Sequence, residues 1–155
     1  MISSRSIHNL TLAGSVFALL IVFLGLHACS TKSDNTNSTK FTQYYNQGSV
    51  LYTQHCSNCH QQAGTGLGRV YPPLNVSDYM DNHFREVICL IRFGKEGQII
   101  VNGKDYNQPM RGIPTLTDLE IAQIATYIYN TWEHERGIVE VKDVSSILQT
   151  CPGQD

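Results

Sequence analysis

The chain has 155 residues, 41% of them hydrophobic and 15% charged, with eleven Lys plus Arg against thirteen Asp plus Glu and a formal net charge of −2. That length suits one small domain behind a short leader. No block of basic residues stands out, which excludes electrostatic capture of nucleic acid as a function.

In chain order, the first element is a weakly basic start with Arg5 and His8, followed by the apolar run Leu10 to Leu26 and the small-residue approach to Cys29. Residues 1–28 read as a secretory signal peptide. Leu26-His27-Ala28-Cys29 resembles the lipobox of bacterial lipoproteins, with His27 as the one departure. The resemblance implies cleavage before Cys29 and acylation of its thiol. The competing reading keeps residues 10–28 as an uncleaved anchor, since about 17 apolar residues is the short end of what spans a bilayer. Either way the domain is expected outside the inner membrane, on the periplasmic side, anchored to a membrane surface.

Ser30 to Lys40 has no apolar residue with which to form a core. Residues 29–43 are therefore expected to be a flexible tether. From Tyr44 to His55 a helix is expected, with Gly48 and Tyr52 four apart on one face. Gly68 to Leu74 contains Pro72-Pro73 and is a loop. Ser77-Asp78 can cap a short helix, and residues 82–93 carry apolar side chains at Phe84, Val87, Ile88 and Ile91, the spacing of an amphipathic helix that Gly94 ends. Ile99-Ile100-Val101, Asn102-Gly103 and Lys104-Asp105-Tyr106 predict a small hairpin with a type I′ turn. Pro109 to Pro114 is a loop carrying Met110. Thr117 with Glu120 three residues later predicts a capping box, and Ile121, Ile124, Ala125 and Ile128 form the stripe of a helix reaching about Trp132. The fold class is all-α with long loops, the folded domain spanning residues 44–132. Residues 133–155 form a C-terminal extension in which 143–148 add one helical turn that docks on the fold with Cys151 behind it.

The five cysteines divide by context. Cys29 is the lipidation candidate, Cys56 and Cys59 belong to one motif, and Cys89 and Cys151 remain. In an oxidising compartment these last two can form a disulfide. The alternative is a buried thiol at Cys89, inside an apolar run, and a free one at Cys151.

Cys56-Ser57-Asn58-Cys59-His60 is a CxxCH motif. On a helical turn it presents two sulfurs to the two vinyl groups of one haem while the imidazole faces the iron, the pattern of c-type haem attachment. A dithiol exchange pair would need a βαβ context that the pattern lacks, and a zinc site would need a second Cys/His pair at ligand spacing. His60 is thus the expected proximal ligand. For the opposite face the candidates are Met80, Met110, His55, His83 and His134. His55 adjoins Cys56 and cannot cross the haem, His134 lies past the last helix, and Met80 and His83 sit at a helix. Met110, fifty residues after His60 in a loop, is placed to reach across. Gly64, Gly66 and Gly68 lack the context of a nucleotide loop and are expected to let backbone pass close to the haem edge.

Over residues 44–132 the chain resembles the class I c-type cytochromes. Gly48 and Tyr52 stand eight and four residues before Cys56, and Ile124 and Tyr127 match the C-terminal helix positions that cross them. Pro72-Pro73-Leu74 matches the family's Pro-x-Leu, which implies that the Pro72 carbonyl accepts the His60 Nδ1–H and that Leu74 packs on the haem. Tyr106-Asn107-Gln108-Pro109-Met110 is similar to the Tyr-Asn-x-x-Met-Pro run of single-haem domains that accompany dehydrogenases, nitrite reductases and terminal oxidases, with Arg111 where that subgroup has proline. The resemblance implies one covalent haem c, His60/Met110 ligation and electron exchange with such redox partners. The competing class is a ligand sensor or catalytic haem protein with a displaceable methionine.

Overall fold

The structure, a computed structural model, describes residues 33–152, with side chains from residue 37 onward. The leader expected over residues 1–28 and the lipidation candidate Cys29 lie outside the described residues. Among the described residues no helix is long and apolar enough to cross a membrane.

Helix α1 (Ser33–His55) leads into the short α2 (Ser57–His60), and α3 (Asp78–Asn82) and α4 (Phe84–Phe93) follow. Four short strands come next, β1 (Gly94–Lys95), β2 (Ile99–Val101), β3 (Lys104–Tyr106) and β4 (Met110–Arg111), and then α5 (Asp118–Ile128) and α6 (Val141–Leu148). The expected tether is corrected over residues 33–43, which are helical. Tertiary and local contacts hold a polar segment that has no core of its own. The Lys40 ammonium meets Glu140 at 2.6 Å, the Phe41 and Tyr45 rings stack at 5.9 Å, and the Thr42 hydroxyl donates to the Ser38 carbonyl. Once the packed part of a helix exists, each added turn costs little.

Where α1 meets α5 there is no room for a side chain. A Cβ on Gly48 would lie 2.0 Å from the Gln123 carbonyl oxygen and 2.8 Å from the Tyr127 Cβ. Helix α5 starts at the capping box, with Thr117 accepting from the Glu120 amide while the Glu120 carboxylate accepts from Thr117 N–H. It ends at Ile128 and does not continue to Trp132, because Asn130 turns its amide back to the Thr126 carbonyl and Trp132 takes a φ of 61°. Ile121, Ile124, Ala125 and Ile128 are all buried.

Helix α3 is capped by Ser77, whose hydroxyl accepts from the Met80 amide. His83 separates it from α4, so the helical run expected over 82–93 begins at Phe84. The hairpin forms as anticipated, with Ile99 opposite Tyr106 and positive φ at both Asn102 and Gly103. Asn102 also reaches outside the hairpin. Its side chain accepts from the Asp78 amide and its own amide donates to the Asp78 carboxylate, fixing the hairpin on α3. A second ladder was not anticipated: β1 pairs antiparallel with β4, Gly94 opposite Arg111 and Lys95 opposite Met110. Met110 therefore sits on a strand and not in a loop.

The C-terminal extension docks on the fold as expected, with a helix longer than the single turn anticipated. Val139, Val144, Ile147, Leu148 and Cys151 are buried in the same core as α4 and α5. Asp118 joins the three helices, accepting from Arg92 of α4 and from the Ser145 hydroxyl of α6, each at 2.6 Å. The Cys89 and Cys151 sulfurs stand 1.94 Å apart as a disulfide linking α4 to the end of the chain, across 62 residues of sequence. Closing a loop of that length stabilises by roughly 4 kcal/mol in the chain-entropy account. Replacing both cysteines by serine is expected to lower the unfolding free energy of the haem-loaded protein by about that much, measured by denaturant titration, while reductant leaves the variant's midpoint unmoved.

Candidate functional site

The CxxCH segment is a helical turn continuing α1. The Cys56 amide donates to the Tyr52 carbonyl at 2.8 Å and the His60 amide to the Cys56 carbonyl at 3.0 Å. Tyr52 fixes the exit from that turn, its hydroxyl donating to the Gln61 carbonyl at 2.7 Å. The ring that delivers this hydroxyl is fully buried, with its centroid 5.4 Å from that of Tyr127 and 5.7 Å from that of Trp132. Gln61, held in this way, adopts a φ of 64°.

His60 Nδ1 lies 3.0 Å from the Pro72 carbonyl oxygen. A carbonyl only accepts, so the proton sits on Nδ1 and Nε2 keeps its lone pair for an iron. Burial lowers the imidazole's proton affinity, against the opposing effect of the Pro72 carbonyl. The ring is thus held in the neutral form a metal requires. The Cys56 thiol is pushed up to about 12, by burial first and then by the neighbouring Cys59.

Glycines after the motif make this arrangement possible by letting neighbouring protein approach closely. Gly64, with a φ of 65°, would place a Cβ 2.7 Å from the Trp132 ring. Gly66, with a φ of 66°, would place one 2.3 Å from the Tyr71 carbonyl oxygen and 2.6 Å from the Pro72 carbonyl carbon. Gly64 in turn accepts from the amides of Leu74 and Asn75, at 2.7 and 3.0 Å, and so closes the loop that carries Pro72.

These elements surround a cavity of about 420 Å³. Cys56, Cys59, His60, Pro72 and Leu74 line it from the α2 side; Val87, Ile91, Ile124 and Ile128 line it from α4 and α5. Both candidate methionines line it as well, Met110 from β4 and Met80 from α3. Met80 is 1% exposed and part of the core, with its carbonyl taken by the Tyr129 hydroxyl. Of the spare histidines, His83 is exposed and stacked on Tyr79, and His134 bonds the Leu74 carbonyl from outside the cavity. The sequence offered no signal for that His134 contact, since sixty residues separate the partners.

The donor set suits a haem. Cys56 and Cys59 are free thiols, His60 is a neutral imidazole, and thioethers and aliphatic side chains make up most of the remaining wall. Among the described residues no three His, Cys, Asp or Glu side chains group closely enough to cage a bare ion. An iron here needs the four nitrogens of a macrocycle, for which the apolar slot provides space.

A helical wrap around such a slot, entered by CxxCH with its histidine tied to a proline carbonyl, defines a c-type cytochrome. The family model described as cytochrome C oxidase, cbb3-type, subunit III matches residues 43–128, and the chain belongs to that family. It is also 35% identical over 89 residues to cytochrome c-552 of Thermus thermophilus, and equally so to the cytochrome c-552 of a named strain of the same species. The match covers 55% of this chain, 67% of the first relative and 60% of the second. The chain thus spans about two thirds or less of the curated relatives it matches. Family membership carries a covalently bound haem c and a role in electron transfer.

Because Gly66 has a positive φ and abuts the Pro72 carbonyl, Gly66→Ala is expected to displace the His60 acceptor. The haem-loaded variant should lose about 1–3 kcal/mol in unfolding free energy, and Gly68→Ala, which meets nothing within 4 Å, should lose less. Chemical denaturation of the two variants side by side measures this.

Proposed function

We propose that the protein is a carrier of single electrons holding one haem, bound through thioether bonds at Cys56 and Cys59 with His60 and Met110 as axial ligands. The observation that carries this reading is the His60 Nδ1–Pro72 bond of 3.0 Å beneath an apolar slot that Met110 also lines. The bound haem supplies one-electron chemistry between ferric and ferrous iron. The chain's own residues do the rest. Pro72 fixes the ring of His60 so that Nε2 keeps one direction through the redox cycle, which keeps reorganisation small. Leu74, Ile91 and Ile124 exclude water and lower the local dielectric. A Met110 thioether favours the reduced state more than a second nitrogen ligand would. If His60 and Met110 both hold the iron, substrate and dioxygen would find no open coordination site, which favours outer-sphere transfer over catalysis or ligand sensing.

Acylation of Cys29 would hold this domain at a membrane surface on the periplasmic side, within reach of membrane-bound redox enzymes. The partners proposed are a dehydrogenase, a nitrite reductase or a terminal oxidase, and the oxidase in the family's own description supports the last.

Met110→His is expected to lower the midpoint potential by on the order of 100 mV, well inside the roughly 0.8 V that axial ligands span, while Met80→Leu leaves it near wild type. Spectroelectrochemistry on the haem-loaded protein reads both. A potential that moves with Met80 and not with Met110 would overturn the ligand assignment. Rapid carbon monoxide binding by the reduced wild type would favour the sensor or enzyme.

A further inference from the structure

His134 lies beyond α5 and outside the family match at 43–128, yet its side chain is only 8% exposed. Its Nε2 stands 2.7 Å from the Leu74 carbonyl oxygen and its Nδ1 stands 3.1 Å from Oδ1 of Asp81. The Leu74 carbonyl only accepts, so Nε2 donates to it, and a second proton on Nδ1 makes the ring an imidazolium that pairs with the Asp81 carboxylate. A neutral ring keeps one of these bonds and turns a lone pair toward the other oxygen.

The clamp bears on the haem cavity from two directions. Leu74 lines the cavity and follows by two residues Pro72, the acceptor for His60. Asp81 follows Met80, another lining residue, whose carbonyl is held by the Tyr129 hydroxyl at 2.9 Å. The imidazole thus ties the Pro72–Leu74 loop to α3 across the back of the cavity wall. The facing groups are few. Asp81 comes from α3, and the loop contributes only the Leu74 carbonyl. Tyr129 has its ring centroid 6.0 Å from that of His134, and burial raises its hydroxyl far from titration. On the segment of His134 itself, Glu133 and Glu135 are chain neighbours and exposed, and the Arg136 guanidinium lies over the Phe84 ring at 3.5 Å. Phe84 is the α4 residue on this face, its ring 5.1 Å from that of Tyr129.

We propose that His134 is a positioning residue which clamps the proximal loop while protonated, and that its proton is coupled to the electron on the haem. The inference rests on the haem reading above. A positive charge one residue behind the cavity wall favours the haem with one more electron, so the potential is higher with His134 protonated. Where the imidazole is partly deprotonated, each electron received from a donor is accompanied by fractional uptake of a proton from bulk water. Delivery of that electron to an acceptor releases the proton again. Asp81, with 62% of its side chain exposed, leaves the pair open to exchange with solvent.

The test is the midpoint potential of the haem-loaded protein as a function of pH, in wild type, His134→Gln and Asp81→Asn. The potential of the wild type is expected to fall as pH rises through the titration of His134, followed in parallel by the NMR shifts of its ring protons. Asp81→Asn offers a donor amide to Nδ1 and lets a neutral ring keep both bonds, so the clamp persists without its charge. His134→Gln should lose the pH-dependent component and show a potential close to the high-pH wild type, while Asp81→Asn, which also removes the carboxylate's negative charge, should show the component weakened and a potential above that level. The same pH dependence in all three proteins would overturn the proposal, as would a wild-type potential that is flat while the ring protons titrate. The visible spectrum of each sample reports axial ligation independently, so failure of the haem ligation is distinguishable from failure of the coupling.

Discussion

The contact that everything else depends on is the one at Gly48, where α1 and α5 touch backbone to backbone. A Cβ there would come within 2.0 Å of the Gln123 carbonyl oxygen, so only glycine lets the two helices close to this distance. One turn further along α1, the same approach seats Tyr52 against Tyr127 and Trp132, and the Tyr52 hydroxyl then holds the Gln61 carbonyl. The haem-attachment turn lies between those two points of support. Its geometry is set by helix packing on one side and by a phenol hydrogen bond on the other, with the Ser57 hydroxyl donating to the Thr53 carbonyl and His60 bonded to Pro72.

From this corner the remaining elements spread around a space that the polypeptide does not fill. A cavity of about 420 Å³ lined mainly by aliphatic and sulfur-bearing side chains would cost stability as a void, because its walls forfeit their dispersion partners. The haem supplies those partners. The cofactor is therefore as much the core of this small domain as it is its redox centre, and the tail serves the same end. Helix α6, the Asp118 bonds and the Cys89–Cys151 link all bear on α4, whose Val87, Leu90 and Ile91 form the cavity wall opposite the attachment turn. A wall supported from behind can stay in place when nothing but the cofactor touches its front.

What the sequence made legible is what local chemistry specifies. The CxxCH turn, the Thr117–Glu120 capping box and the Asn102-Gly103 turn each complete their bonds within a few residues, so their patterns are written in one place. The β1–β4 ladder is different. Gly94 and Lys95 look like a helix stop and a surface residue, and their pairing with Arg111 and Met110 depends on the intervening hairpin folding back. The close approach of Gly112 to the Phe93 and Gly94 backbone accompanies that pairing and offers the one hint, a second small residue near the crossing. The polar stretch before Tyr44 misled for a related reason: its composition gives no core, and the partners that make it helical, Glu140 above all, lie a hundred residues away. The tail is legible as a short docking helix, but the stripe Val144, Ile147 and Leu148 is too short to specify which faces of α4 and α5 receive it.

His134 shows how charge enters a site that otherwise excludes it. The cavity is lined almost wholly by neutral groups, and His60 itself is kept neutral by burial. A fixed charge inside such a wall would carry a large desolvation cost. Placed one layer back, with its partner Asp81 exposed to solvent, an imidazolium avoids most of that cost and still acts through a medium of low dielectric. The backbone makes the link mechanical as well as electrostatic: Leu74 accepts from His134 on its carbonyl and donates its amide to Gly64, while Pro72 two residues earlier accepts from His60. A proton on one histidine and the orientation of the other are thus joined through three residues of chain, with prolines at two of the three limiting how far that segment can yield.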